Sequence, residues 1–114
     1  MPIKLDVSKM EQAIKYFEGE HDFKAFKSSG TSSKSSVRKI LKTEIKQENE
    51  RIIIELTGTG FLYNMVRIIS GTLLDVGLDK IKPDEISEII ESKDRKRAGR
   101  TLPAHGLYLV EVNY

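Results

Sequence analysis

Gly58-Thr59-Gly60-Phe61-Leu62-Tyr63-Asn64-Met65-Val66-Arg67-Ile68-Ile69-Ser70-Gly71-Thr72-Leu73-Leu74 is the stretch on which the reading of this chain turns. It is too long and too evenly periodic for a strand, and Thr59 or Gly60 can cap a start, so the spacing predicts a helix from about Phe61 to about Val76. At roughly 100° per residue, Leu62, Met65, Ile69, Leu73 and Val76 share one apolar face. Arg67 points away from it. Its own face carries Gly60, Tyr63, Asn64, Ser70, Gly71 and Leu74, with no carboxylate to neutralise the guanidinium. Two readings stand side by side. An arginine opposite a buried stripe is ordinarily just solvated, and Gly-x-Gly before a helix is a weak phosphate signal without the longer dinucleotide or P-loop pattern. Alternatively, the small and polar residues around Arg67 leave room for an outside partner.

Upstream, Val37 to Gln47 alternates, with Val37, Leu41, Thr43 and Ile45 on one side and Arg38, Lys42, Glu44 and Lys46 on the other, as in a half-buried strand. Glu48-Asn49-Glu50 supplies a turn, and Arg51 to Thr57 is a second strand rich in β-branched residues, so the two are expected to form a hairpin. Before them, Ser8 can cap a helix to about Glu18, Glu11 completing a capping box and Met10, Ile14 and Phe17 forming its stripe. Gly19 ends it. His21-Asp22-Phe23-Lys24-Ala25-Phe26 reads as a loop pinned to the core by two Phe rings. The His-Asp pair is structural, since no nucleophile motif accompanies it. Ser28 to Ser36 is polar and of low complexity: a connector, or a loop that with Lys24, Lys27, Lys34 and Arg38 follows a phosphate backbone.

Downstream, Lys80-Ile81-Lys82-Pro83-Asp84-Glu85 starts a helix, its proline suited to the first turn and its acids to the N-terminal dipole, with Ile86, Ile89 and Ile90 buried. That helix is expected to end in Lys93-Asp94-Arg95-Lys96-Arg97-Ala98-Gly99-Arg100, where dipole compensation competes with RNA contact as the reason for the bases. Pro103 and Gly106 break the chain before a last strand from Leu107 to Tyr114. Strand pairs interleaved with two or three helices predict an α+β domain, a mainly antiparallel sheet with the helices packed on one face.

Composition narrows the function classes. The 114 residues suit one domain, and a formal charge of +2, from 19 basic and 17 acidic residues, is too mild to imply nucleic-acid binding by itself. Cysteine is absent, which excludes thiolate chemistry and disulfides. His21 and His105 alone give no metal-ligand set, and no apolar run approaches the ~20 residues that span a bilayer. Neither a P-loop nor a Ser-His-Asp order occurs, so the expectation is a cytoplasmic domain with no metal and no cofactor, and without catalysis of its own.

Residue order adds to this. The run from Gly60 to Leu73, followed by Ala98-Gly99-Arg100-Thr101-Leu102-Pro103-Ala104-His105-Gly106-Leu107-Tyr108-Leu109-Val110, closely resembles the C-terminal half of the bacterial tRNA pseudouridine synthase A family. Gly19-Glu20-His21-Asp22-Phe23 with Phe26, and Ser36-Val37-Arg38, resemble its earlier motifs. The resemblance implies an enzyme that isomerises uridine to pseudouridine in the anticodon stem-loop of tRNA, without a cofactor and as a homodimer, using an aspartate from the other half of the protein. By position it implies that Arg67 pairs with that aspartate and that Leu107 lines the base pocket, with core packing an equal reading for Leu107. Phe61 and Met65 would border the same pocket or belong to the core. Lys34, Arg38, Arg95, Lys96, Arg97 and Arg100 would face tRNA.

Two departures stand out. Leu102 replaces a commonly small residue, and the Arg-Thr-Asp motif of the nucleophile is missing, since Arg100-Thr101 runs into Leu102 and neither Asp6, Asp22, Asp75, Asp79, Asp84 nor Asp94 has its context. The family's pocket tyrosine is not assignable either. The resemblance therefore implies a C-terminal part that is inactive alone, the alternative being a non-catalytic RNA-binding or dimerisation module.

Overall fold

The computed structural model describes residues 6–27, 36–48, 51–60, 64–99 and 109–113, with 48, 51 and 109–113 described by their backbone only. Helix α1 (Val7–Ile14) continues through a 3-10 turn at Lys15–Phe17 into strand β1 (Gly19–Asp22), which a second 3-10 turn, Lys24–Phe26, follows. Then come β2 (Val37–Glu48), β3 (Arg51–Gly58), α2 (Met65–Gly77), α3 (Glu85–Ser92), a 3-10 turn at Arg95–Arg97 and β4 (Leu109–Asn113). The sheet order is β1-β2-β3-β4, antiparallel except where β4 lies parallel to β3. A parallel neighbour requires a crossover, and α2 and α3 lie between those two strands. This is the α+β arrangement with a mainly antiparallel sheet that the residue pattern predicts.

The buried face of the sheet is set by a bulge. On β3, Ile52, Ile54, Leu56 and Gly58 are buried and alternate with half-buried Ile53, Glu55 and Thr57. On β2 the register shifts between Ile40 and Lys42, so one extra residue reverses the alternation. Ile40 is buried before the shift and Thr43 and Ile45 after it, while Val37 and Leu41, expected to face inward, are 43% and 55% exposed. A strict period of two cannot survive an inserted residue, and the expectation fails at those two positions.

Other boundaries shift for local reasons. Asp6, not Ser8, caps α1, its Oδ1 accepting from the Lys9 amide at 3.1 Å, and the α-helix ends at Ile14 where a 3-10 turn takes over. The segment expected as a loop at Gly19–Asp22 is an edge strand, held by backbone pairing with Val37–Ile40. His21 is structural, but its partner is the Glu18 carbonyl, 2.9 Å from Nε2, rather than Asp22, whose carboxylate accepts from the Lys24 amide. Helix α2 begins at Met65 rather than Phe61, because its N-cap, Asn64, sits in the left-handed region at φ 59°. Helix α3 ends at Ser92 with Lys93 left-handed at φ 56°, so the basic run does not continue it.

Helix α2 is more deeply set than its amphipathic pattern suggests. Every residue of it except half-buried Val66 and exposed Arg67 is buried. Its hydroxyls are satisfied within the helix: Ser70 Oγ donates to the Val66 carbonyl and Thr72 Oγ1 to that of Ile68, both at 2.8 Å. Met65, Ile68, Ile69, Leu73 and Val76 join Met10, Ile14 and Phe17, Ile86, Ile89 and Ile90, and Ile40, Ile54 and Leu56 of the sheet in one core.

Where β1 stops pairing, side chains complete the edge of β2. Glu18 Oε2 accepts from the Thr43 amide at 2.9 Å and its hydroxyl at 2.7 Å, while Lys15 Nζ donates to the Thr43 carbonyl at 2.8 Å and reaches Glu18 at 3.3 Å. The Thr43 hydroxyl, its backbone amide and Lys15 together hold the Glu18 carboxyl below its ordinary 4.5, against a smaller opposing effect of burial. A carboxyl depressed in the folded state stabilises above its unfolded value, and that stability is lost as pH falls through the folded value. Glu18→Gln is therefore expected to destabilise by about 1 kcal/mol near neutral pH, a figure reduced for partial exposure. The gap between wild type and variant in urea denaturation should close as pH drops below 4.5. A gap that stays constant down to the acid transition would rule out a charged Glu18 in the clamp.

Candidate functional site

The candidate site is built around the first turn of α2. Strand β3 ends at Gly58, the Thr59 amide donates to the Lys39 carbonyl at 3.1 Å, and α2 starts at Met65. Asparagine tolerates the left-handed conformation better than most residues, which lets the chain turn into the helix at Asn64. Arg67 is the third residue of α2 and the exposed one, and its side chain has neither a hydrogen bond nor an ion pair among the described residues. The first turn contains no acidic residue. A cation at the positive end of a helix opposes the macrodipole by ~0.3–1 kcal/mol, so this placement works against local stability and would be relieved by an anion. The surroundings differ from expectation: Ser70, Gly71 and Leu74, predicted to flank Arg67 on an open face, are buried. The guanidinium thus emerges alone from a packed helix.

Arg38 approaches the same connection from the sheet. It is half-buried, pairs across from His21, and donates from a guanidinium nitrogen to the Val37 carbonyl at 2.7 Å. Its Nε would lie 3.8 Å from a Cβ built on Gly60, so the arginine lines the chain that carries β3 toward α2.

The middle of α2 holds the second feature. Gly99 is buried against it, its amide donating to Thr72 Oγ1 at 2.8 Å and its carbonyl accepting from an Arg95 guanidinium nitrogen at 2.9 Å. A Cβ on Gly99 would fall 2.7 Å from Thr72 Cα and 2.8 Å from Asp75 Oδ2, closer than real side chains come. Only glycine fits here, for reasons of space. This contact joins residues 27 apart and leaves no periodic trace in the sequence. The one local signal is a glycine two residues after a run of bases, Arg95-Lys96-Arg97.

The basic run then divides by residue. Asp94 caps the 3-10 turn, accepting from the Lys96 amide at 3.0 Å. Arg95 is committed to Gly99, Arg97 stands 3.8 Å from Glu88, and Lys93 stands 3.8 Å from Asp22. The Lys96 ammonium is exposed and has no partner among the described residues. Met65 is fully buried in the core. Phe61, Leu107, Lys34, Arg100 and Leu102 lie outside the described residues. Among the described residues no group of three or more His, Cys, Asp or Glu could hold a metal, and no helix is long and apolar enough to cross a membrane. A surface groove lined by Gln12, Lys15, Tyr16, Pro83 and Asp84 lies between α1 and the start of α3, and none of the predicted site residues lines it.

With this geometry in place, comparison with known proteins is specific. Residues 13–114 match the family described as tRNA pseudouridine synthase. The chain is 60% identical over 111 residues to tRNA pseudouridine synthase A of Acetivibrio thermocellus, covering 97% of this chain and 46% of that protein. It is 54% identical over 113 residues to tRNA pseudouridine synthase A of Caldicellulosiruptor bescii, covering 99% of this chain and again 46% of the relative. For tRNA pseudouridine synthase A 2 of Clostridium tetani the identity is 52% over 111 residues, 97% of this chain and 45% of the relative. The chain thus spans about half the length of the curated relatives it matches. A family match that spans residues 13–114 and identities of 52–60% across nearly the whole chain lead to one assignment: the chain belongs to the tRNA pseudouridine synthase family.

Proposed function

We propose that this chain is the C-terminal, site-completing part of a tRNA pseudouridine synthase that isomerises uridines of the anticodon stem-loop, and that Arg67 receives the catalytic aspartate carried by another part of the enzyme. One observation carries the reading: Arg67 is an exposed guanidinium at the positive end of a buried helix, with no carboxylate partner among the described residues. A guanidinium donates to both oxygens of a carboxylate at once, which fixes the direction of the aspartate and keeps it ionised as water is excluded. The reaction needs both properties. The N-glycosidic bond breaks, the freed base turns, a C–C bond to the sugar forms in its place, and that ring carbon gives up its proton while the freed ring nitrogen takes one, with no net gain or loss of atoms. The target base is stacked in RNA and must be extruded to reach the carboxylate.

The homodimer and the cytoplasmic location implied by the resemblance belong to the same reading, and sedimentation of the full-length protein tests the first. The function itself is tested by pseudouridine formation in a tRNA transcript by the full-length protein. Pseudouridine within the anticodon stem-loop supports the reading, and a folded protein that leaves those uridines unchanged overturns it.

Within this reading Lys96 is a phosphate contact, supported by its exposed and unpartnered ammonium beside arginines that are engaged elsewhere. Lys96→Ala is expected to weaken tRNA binding regardless of sequence and to lower the slope of log K against log salt by about 1. Its backbone amide, held by Asp94, is unaffected by the change. An unchanged salt slope would remove Lys96 from the interface.

A further inference from the structure

We propose that the 3-10 turns Lys24–Phe26 and Arg95–Arg97 together build one phosphate-binding patch for tRNA, in which Lys24 and Lys27 act alongside Lys96. That the anion is tRNA rests on the functional reading above, whereas the patch itself rests on where the fold places these bases. The two turns are far apart in sequence and pack against each other. Asp22 ties them together: its Oδ1 accepts from the Lys24 amide at 3.1 Å, and its Oδ2 stands 3.8 Å from Lys93 Nζ. Residues 22–27 and 93–97 hold six bases, and three acids oppose them once Glu88, 3.8 Å from Arg97, is counted with Asp22 and Asp94. That excess of three is larger than the +2 of the whole chain, so the remaining residues are net negative. The mild overall charge hides a local one.

The patch is fixed from below and open above. Phe23, Ala25 and Phe26 are fully buried, which anchors the first turn in the core while Lys24 is exposed and Lys27 half-buried. Asp94 holds the second turn, its carboxylate accepting from the Lys96 amide and its carbonyl from the Arg97 amide, both at 3.0 Å. Among the described residues the ammonium groups of Lys24, Lys27 and Lys96 have neither a hydrogen bond nor an ion pair, whereas Lys93, Arg95 and Arg97 each meet a group of the protein. Three uncompensated cations on a fixed backbone suit a polyanion, whose phosphates release counterions as they are neutralised. A protein partner calls instead for an apolar centre poor in lysine. The large exposed apolar side chains among the described residues, Tyr16, Val37 and Leu41, lie in neither segment.

The test is the salt dependence of binding of a tRNA transcript to the full-length protein, with circular dichroism showing each variant folded. Lys24→Ala is expected to lower the slope of log K against log salt by about 1, and Lys24→Ala combined with Lys96→Ala by about 2, irrespective of the transcript's sequence. Lys80→Ala removes an exposed lysine from the link between α2 and α3 and serves as the control, with a slope equal to that of wild type. An unchanged slope in Lys24→Ala overturns the patch and leaves its bases to an acidic protein partner. An equal fall in Lys80→Ala also overturns it, because the attraction would then follow net charge rather than this surface. Pseudouridine formation by the wild type is a separate readout. Its absence, with the slopes as expected, refutes the functional reading and keeps the patch as an RNA contact, while wild-type catalysis with an unchanged Lys24→Ala slope refutes the patch alone.

Discussion

Arg67→Ala is expected to reduce pseudouridine formation by the full-length protein about 150- to 5000-fold, while leaving the 114-residue chain as stable as before or slightly more so. The two halves of this expectation have separate causes. Removing one partner of a buried charge pair leaves the other uncompensated, at ~3–5 kcal/mol, which read as a barrier gives that loss in rate. Within the chain itself Arg67 is exposed, and it sits in the first helical turn where a cation opposes the macrodipole. Alanine removes that opposition and is the better helix former, so thermal unfolding should stay within about 0.5 kcal/mol of wild type or move in the stabilising direction. Lysine should not restore activity, because an ammonium cannot hold both carboxylate oxygens in a plane. Wild-type rates in Arg67→Ala would end the role given to it. A clear loss of stability in the isolated chain would show that Arg67 serves the fold.

The separation of Arg67 from the fold could be read from residue order because a carboxylate-free arginine face is a local pattern. Its setting could not. The periodicity leaves Ser70, Gly71 and Leu74 open beside it, and they are buried, since helix burial depends on what packs against each face, and α1, the Lys24–Phe26 turn and Gly99 all pack on α2. The Gly99 amide meets Thr72 across 27 residues, and the Thr43 amide meets Glu18 across 25, separations at which periodicity carries no information. The same limit explains β1. Gly-Glu-His-Asp has no apolar alternation, and its strand conformation comes from backbone pairing with Val37–Ile40. The hairpin and the isoleucines of α3 were legible because they repeat with the period of their own element. The bulge near Leu41 reversed part of that pattern without any change in composition.

Phe17→Ala is the converse case, with stability lost and chemistry kept. Phe17 closes the end of α1 with no exposed surface, and it meets Phe26 edge-on at 5.1 Å between centroids and Phe23 at 6.5 Å. Phe23 and Phe26 pack on each other at 6.3 Å, and His21 stands edge-on to Phe23 at 5.6 Å, so the cluster ties α1 to the edge strand β1. Deleting the ring removes its transfer free energy and leaves a cavity that Phe23 and Phe26, packed on each other, cannot refill, at a cost of ~3–5 kcal/mol. The melting temperature should fall by about 10 °C or more. The three rings are fully buried whereas Arg67 is exposed, so kcat of the full-length protein, measured well below the lowered transition, should remain within about twofold of wild type. Differential scanning calorimetry and a temperature series of initial rates check the two halves together. A kcat that falls at low temperature while the protein is still folded would mean that the aromatic cluster positions the site as well as the fold. Activity that follows the folded fraction would leave Arg67 to serve the chemistry on a scaffold that Phe17 only stabilises.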